Sequence, residues 1–149
     1  MKKISLLLIA ISVSGTLHAQ EKLTESQKAV QNTVLKMFDA LSNRDSVSLM
    51  DYCTTDILLF ENGQVWNADT LMLKAITLNQ AADFKRVNSF DFINTKINKN
   101  TAWVTYQLQS DITRNGKQSS VQWMETVVLI KEKKRWKIKV LHSTLIKRN

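Results

Sequence analysis

Two glutamates and a histidine are the residues of this chain whose types and settings could move protons. Glu61 closes a short apolar run and shares strand parity with Ile57 and Leu59. Glu125 falls midway along a run that puts Val121, Trp123, Val127 and Leu129 on its own face. His142 shares parity with Trp136, Ile138 and Val140, and only His18 is a second histidine. A carboxyl held against apolar side chains has a raised pKa, because desolvation penalises its charged form. Such a group serves as a general base near neutral pH, or as a neutral hydrogen-bond donor. Alternation also turns Tyr106 and Trp123 inward, and a pocket lined by them would take an apolar or aromatic molecule with one polar handle. Each ionisable residue has an ordinary alternative. Glu61 can be a solvated turn residue beside Asn62 and Gly63, Glu125 the partner of a lysine across a sheet, and His142 a core histidine bonded to a backbone carbonyl.

Other chemistries find less support. Two carboxylates and one histidine are zinc-compatible ligands, but none of them stands at helical ligand spacing, so no metal is expected. Cys53 has no cysteine partner and reads as a small buried residue. Three glycines leave no phosphate-cradling loop, and no cofactor is expected. The formal charge of +8 raises the question of nucleic acid. Many of those charges fall in Lys131–Arg135, a hairpin tip, and in Lys147–Arg148, so no nucleic-acid partner is expected.

The elements that must position these residues change period midway. Thr24 and Gln27 form a capping-box pattern, followed by apolar residues at Val30, Val34, Met37, Phe38 and Leu41, one helical stripe. Asp45 or Ser46 caps a short second helix running through Tyr52. Ile57–Phe60 reads as a strand ending at the Asn62–Gly63 turn. Asp69–Thr70 caps a third helix, with Leu71, Ala75 and Leu78 on one side. Strands follow over Val87–Ile97, Thr101–Gln109, Val121–Ile130 and Trp136–Ile146, with turns at Asn98–Asn100, Arg114–Gly116 and the basic tip. Along the second of these, Ala102, Val104, Tyr106 and Leu108 take one face, and Trp103 interrupts the polar one. Helices first and an antiparallel meander second predict an α+β fold.

The start of the chain reads as an address. Lys2 and Lys3 precede an apolar run from Ile4 to Val13, too short to span a bilayer, and Ala19 offers a small residue for cleavage before Gln20. Residues 1–19 are therefore expected to be a signal peptide and 20–149 a single domain, periplasmic or secreted, with no stable membrane anchor. Loss of the two lysines leaves a formal charge of +6.

The order of elements resembles the nuclear transport factor 2-like superfamily, which includes SnoaL-like proteins and ketosteroid isomerases. Phe38–Asp45 resembles its helix end and aspartate pattern, Thr55–Phe60 its first strand, and Arg135–Ser143 its final strand. The resemblance covers about residues 24 to 147. It implies a cone-shaped curved antiparallel sheet with about three N-terminal helices covering its concave face, and a cavity inside. It puts Glu61 near the basic aspartate of ketosteroid isomerases and Glu125 near their protonated one. Met37 stands where their first-helix tyrosine would be, which speaks against steroid isomerisation. Two functional readings follow. One is an exported small-molecule-binding domain, with cofactor-free isomerase or lyase chemistry in which Glu61 is the base and Glu125 and His142 polarise or relay. The other is a non-catalytic association module that forms a homodimer through the outer sheet face.

Overall fold

Thr24 opens helix α1 (Glu25–Asn43) with a reciprocal cap: its hydroxyl accepts from the Gln27 amide at 3.2 Å, and its own amide donates to Gln27 Oε1 at 2.8 Å. The computed structural model describes residues 22–77 and 79–149, so the leader expected over residues 1–19 and the Leu78 position lie outside the described residues. Val30, Val34, Met37, Phe38 and Leu41 form the buried stripe of α1, each large side chain contributing roughly 1.5–3 kcal/mol by leaving water. Arg44 ends the helix in the left-handed region, and Asp45 at once caps α2 (Ser46–Asp51).

Strand β1 (Cys53–Glu61) turns through Asn62 and Gly63, both at positive φ, into a three-residue strand β2 (Gln64–Trp66). Helix α3 (Ala68–Met72) follows and continues as one π-helical turn, Leu73–Thr77. Its cap is Asn67, whose side chain accepts from the Thr70 amide at 2.9 Å, two residues before the Asp69–Thr70 start expected from sequence. The remaining chain is a meander of β3 (Lys85–Asn98), β4 (Thr101–Arg114), β5 (Lys117–Glu132) and β6 (Arg135–Arg148).

All six strands join one curved, unclosed sheet in the order β2-β1-β6-β5-β4-β3. The ladders are antiparallel except one: β1 runs parallel to β6, with Phe60 opposite His142. The helices pack on the concave side, where Met37, Leu49, Val104, Leu108, Val127 and Ile138 fill the middle of the core. Bulges bend the long strands. One lies at Ile93 between the Phe92–Tyr106 and Asn94–Thr105 pairs. A second skips Lys139, between the Leu129–Ile138 and Val128–Val140 pairs, where β1 is irregular too. An ion pair between Lys139 and Asp56 ties the two irregular segments together. Among the described residues no helix is long and apolar enough to cross a membrane.

Candidate functional site

One row of side chains crosses the concave face at the level of Glu125. The ladders put Phe92 opposite Tyr106, Tyr106 opposite Glu125, and Glu125 opposite Ser143. Glu125 is 4% exposed, and the Ser143 hydroxyl donates to its Oε1 at 2.8 Å. Tyr106 is wholly buried, with its ring set against Phe38, Phe90 and Phe92 at centroid distances of 5.4–6.4 Å. Its hydroxyl faces the Glu125 carboxyl, yet neither Tyr106 Oη nor Glu125 Oε2 completes a hydrogen bond of ordinary geometry. Burial pushes the Glu125 carboxyl up to about 7, against the opposing influence of the Tyr106 and Ser143 hydroxyls, with Glu61 adding a smaller upward push. The Tyr106 phenol is raised as well, first by burial and then by the neighbouring carboxylate. Among the described residues no lysine pairs with Glu125, and its hydrogen bond comes from the Ser143 hydroxyl.

Glu61 is half-buried at the end of β1 and accepts from Asn62 Nδ2 at 3.1 Å. It shares the inward parity of Ile57 and Leu59, and its charge acts on both Glu125 and Arg86. His142 does not join them. The bulge at Lys139 inserts one residue into β6, and a one-residue slip reverses the side chains that follow, as far as a further bulge at Ile146. Ile138 and Leu141 therefore point inward, Ser143 takes the inward place beside Glu125, and His142 lies exposed on the outer face, edge-on to Phe60 at 6.0 Å.

The residue that sequence reading passed over is Arg86. Along β3, Arg86, Asn88, Phe90 and Phe92 turn inward, while Val87 is 50% exposed. The period of two was there to be seen, but hydrophobicity favours the opposite parity at Val87. Arg86 Nε donates to Asn88 Oδ1 at 2.9 Å and to Ser110 Oγ at 3.2 Å, and Nη2 donates to Ser110 Oγ at 3.0 Å. Asn88 Nδ2 in turn donates to Ser42 Oγ at 2.8 Å. The guanidinium carbon lies 5.4 Å from the Phe38 ring centre and 5.7 Å from that of Trp123. Burial lowers the pKa of Arg86, and Glu125 and Glu61 oppose that shift.

In front of Arg86 opens a cleft of about 720 Å³ between α3, the loop at Asn79–Phe84 and the β4–β5 hairpin end of the sheet. Trp66, Phe84 and Trp123 supply its aromatic walls. Trp123 thus lines a pocket as its parity implies, whereas Tyr106 and Glu125 lie behind the cleft wall rather than on it. A groove of about 1010 Å³ beside the start of α1 and β3 holds none of the candidate residues. Among the described residues no group of three or more His, Cys, Asp or Glu could hold a metal ion. Cys53 is buried, and desolvation pushes its thiol up to about 12, which makes it a poor nucleophile.

Known proteins carry the same architecture. A ketosteroid isomerase-like protein from Erwinia carotovora atroseptica is 14% identical, with a TM-score of 0.69 over 84% of this chain and 99% of its own. An NTF2-like protein from Cytophaga hutchinsonii is 17% identical, with a TM-score of 0.68 over 83% and 100% of the two chains. The CaMKII hub of S. rosetta is 17% identical, with a TM-score of 0.67 over 84% and 100%. At these identities the likeness is one of fold. No curated protein matches the chain by sequence. The model of the SnoaL-like domain matches residues 30–146, a span that takes in most of α1, strands β1 to β5 and β6 as far as Ile146, and the chain therefore belongs to the SnoaL-like domain family.

Proposed function

We propose that this protein is an exported domain that binds a small, mostly apolar molecule in the cleft, with the carboxyls of Glu61 and Glu125 held outside the cleft lining. The observation that carries this reading is the placement of Trp123. It forms a wall of the cleft and stands two residues from the buried Glu125 on the same face of β5. A carboxyl poised near pH 7 would serve proton transfer or elimination beside a carbonyl, without a cofactor, in a bound state that brings the ligand past the Trp123 wall to it. Relatives of the same fold include a ketosteroid isomerase-like protein, and the leader pattern at Lys2–Ala19 supports export. The test is a thermal-shift screen of apolar and aromatic compounds on protein recovered after export, whose intact mass should begin at Gln20. A ligand of the folded state raises the melting temperature as its concentration passes Kd, and Trp123→Ala should abolish that rise. A library that leaves the melting temperature unmoved, or a mass that retains residues 1–19, would count against the corresponding half of the proposal.

A second reading has its own observation. The outer sheet face carries a row running Lys96, Trp103, Val128, Val140 and Leu58 across five strands. Trp103 and Leu58 there are 38% and 40% exposed, an apolar patch suited to a second copy of the chain. In this reading the domain is a homodimeric association module.

A further inference from the structure

From the surroundings of Arg86 we infer that the cleft is a receptor for a small organic anion, a carboxylate attached to a flat apolar body, with Arg86 gripping the carboxylate. This rests on the proposed ligand-binding role of the same cleft and names the class of ligand.

A cation taken out of water needs a compensating anion or a full set of hydrogen bonds. Arg86 has neither. Its acceptors are the neutral Asn88 Oδ1 and Ser110 Oγ, and it forms no ion pair among the described residues. Nη1 makes no hydrogen bond among them either, and the residue lines the cleft. Glu61 and Glu125 are near enough to be felt but form no ion pair with Arg86 among the described residues, and burial raises the Glu125 carboxyl to about 7. The guanidinium is thus held through Nε and Nη2 by Asn88 and Ser110, while Nη1 has no partner among the described residues and Arg86 lines the cleft. A planar carboxylate matches that fork.

The rest of the lining points the same way. Lys74, Arg114, Lys117 and Arg148 line the cleft with Arg86, and no Asp or Glu does so among the described residues. Such a one-signed opening concentrates anions and draws them inward. Trp66, Phe84 and Trp123 exclude a ligand that is all charge, because a bare oxyanion would leave their faces unfilled. Lys74 lies over the Trp66 ring at 4.6 Å, which sets a cation directly beside an aromatic wall of the cleft.

Calorimetric titration of the purified protein with 2-naphthoate, its neutral amide 2-naphthamide, and inorganic phosphate tests this. Naphthoate should bind at least tenfold more tightly than the amide. Arg86→Gln should remove that preference while leaving amide binding in place, and Lys117→Gln at the exposed rim should weaken naphthoate only two- to threefold. Should Arg86→Gln fail to fold, the Arg86 Nε–H resonance of the unsubstituted protein gives the same answer: it should shift with naphthoate and stay still with the amide. Equal affinity for acid and amide would overturn the anion inference and leave the cleft as a neutral ligand site. Phosphate binding as tightly as naphthoate would overturn the role given to the aromatic walls. If none of the three binds, both this inference and the ligand-binding role of the cleft fall.

Discussion

In the unfolded chain Glu125 is half ionised near pH 4.5, whereas the fold holds it protonated to about pH 7. The folded state therefore binds more protons than the unfolded one across that window, and stability falls as pH rises through it. The contribution is fully present below pH 4.5 and is lost by the time pH passes 7, a difference of about 3 kcal/mol. Glu125→Gln, a neutral isostere, should erase this slope. In urea titrations the variant should match the parent at pH 4.5 and exceed it by about 3 kcal/mol at pH 8; parallel pH profiles would show that the carboxyl is not held neutral. The unbroken alternation from Val121 to Leu129 makes Glu125 legible from residues alone. Alternation fails for His142, because nothing in Ile138–Lys139–Val140 announces a bulge and the parity of everything beyond it depends on one. It fails for Arg86 for a different reason: an arginine next to a valine is ordinarily the outward member of the pair, and only the Asn88, Ser110 and Ser42 network makes its inward place tolerable.

Among the elements, those with long periodic faces were readable and those fixed by local geometry were not. The stripe of α1, its Thr24–Gln27 cap and the four long strands follow from spacing, although each strand extends beyond its apolar stretch because ladder bonds continue through polar residues to the turns. Strand β2 has three residues, too few for any pattern, and exists because Asn62 and Gly63 reverse the chain against β1. The parallel pairing of β1 with β6 is likewise invisible in a local pattern. The start of α3 separates the two kinds of evidence experimentally. Asn67→Ala removes the side chain that accepts from the Thr70 amide and should cost about 1 kcal/mol, read as a melting temperature lower by roughly 4 °C. Asp69→Ala, at the position that sequence alone favours for the cap, should cost only a few tenths of a kcal/mol through the helix dipole. The reverse order would place the cap at Asp69.

At the scale of the molecule the cone has two faces with different prospects. The concave one is filled by core in its middle and opens at the hairpin end into the cleft where the cations gather. The convex one exposes Trp103, Leu58, Phe60 and Met124 around a polar centre of Thr105, Thr126 and His142. If a second copy covers it, sedimentation at micromolar concentration should give a dimer and the melting temperature should rise with concentration. Trp103→Glu should return the protein to a monomer with its far-ultraviolet spectrum unchanged; a parent that sediments as a monomer would remove the association reading.

The parallel ladder between β1 and β6 also sets an order of events. Cys53 pairs with Ile138, and the Tyr52 carbonyl accepts from the Ile138 amide at 2.8 Å, across more than half the chain. The strand that carries Glu61 thus has no neighbour but the short β2 until the last strand to be synthesised arrives. Closing so long a loop is slow, whereas the β3–β6 meander can zip from its own hairpins. A chain passing through a membrane pore N-terminus first would present β1 and β2 well before β6, the parallel partner of β1. Under the export proposed above, this topology would leave β1 without its β6 ladder while the chain is threaded.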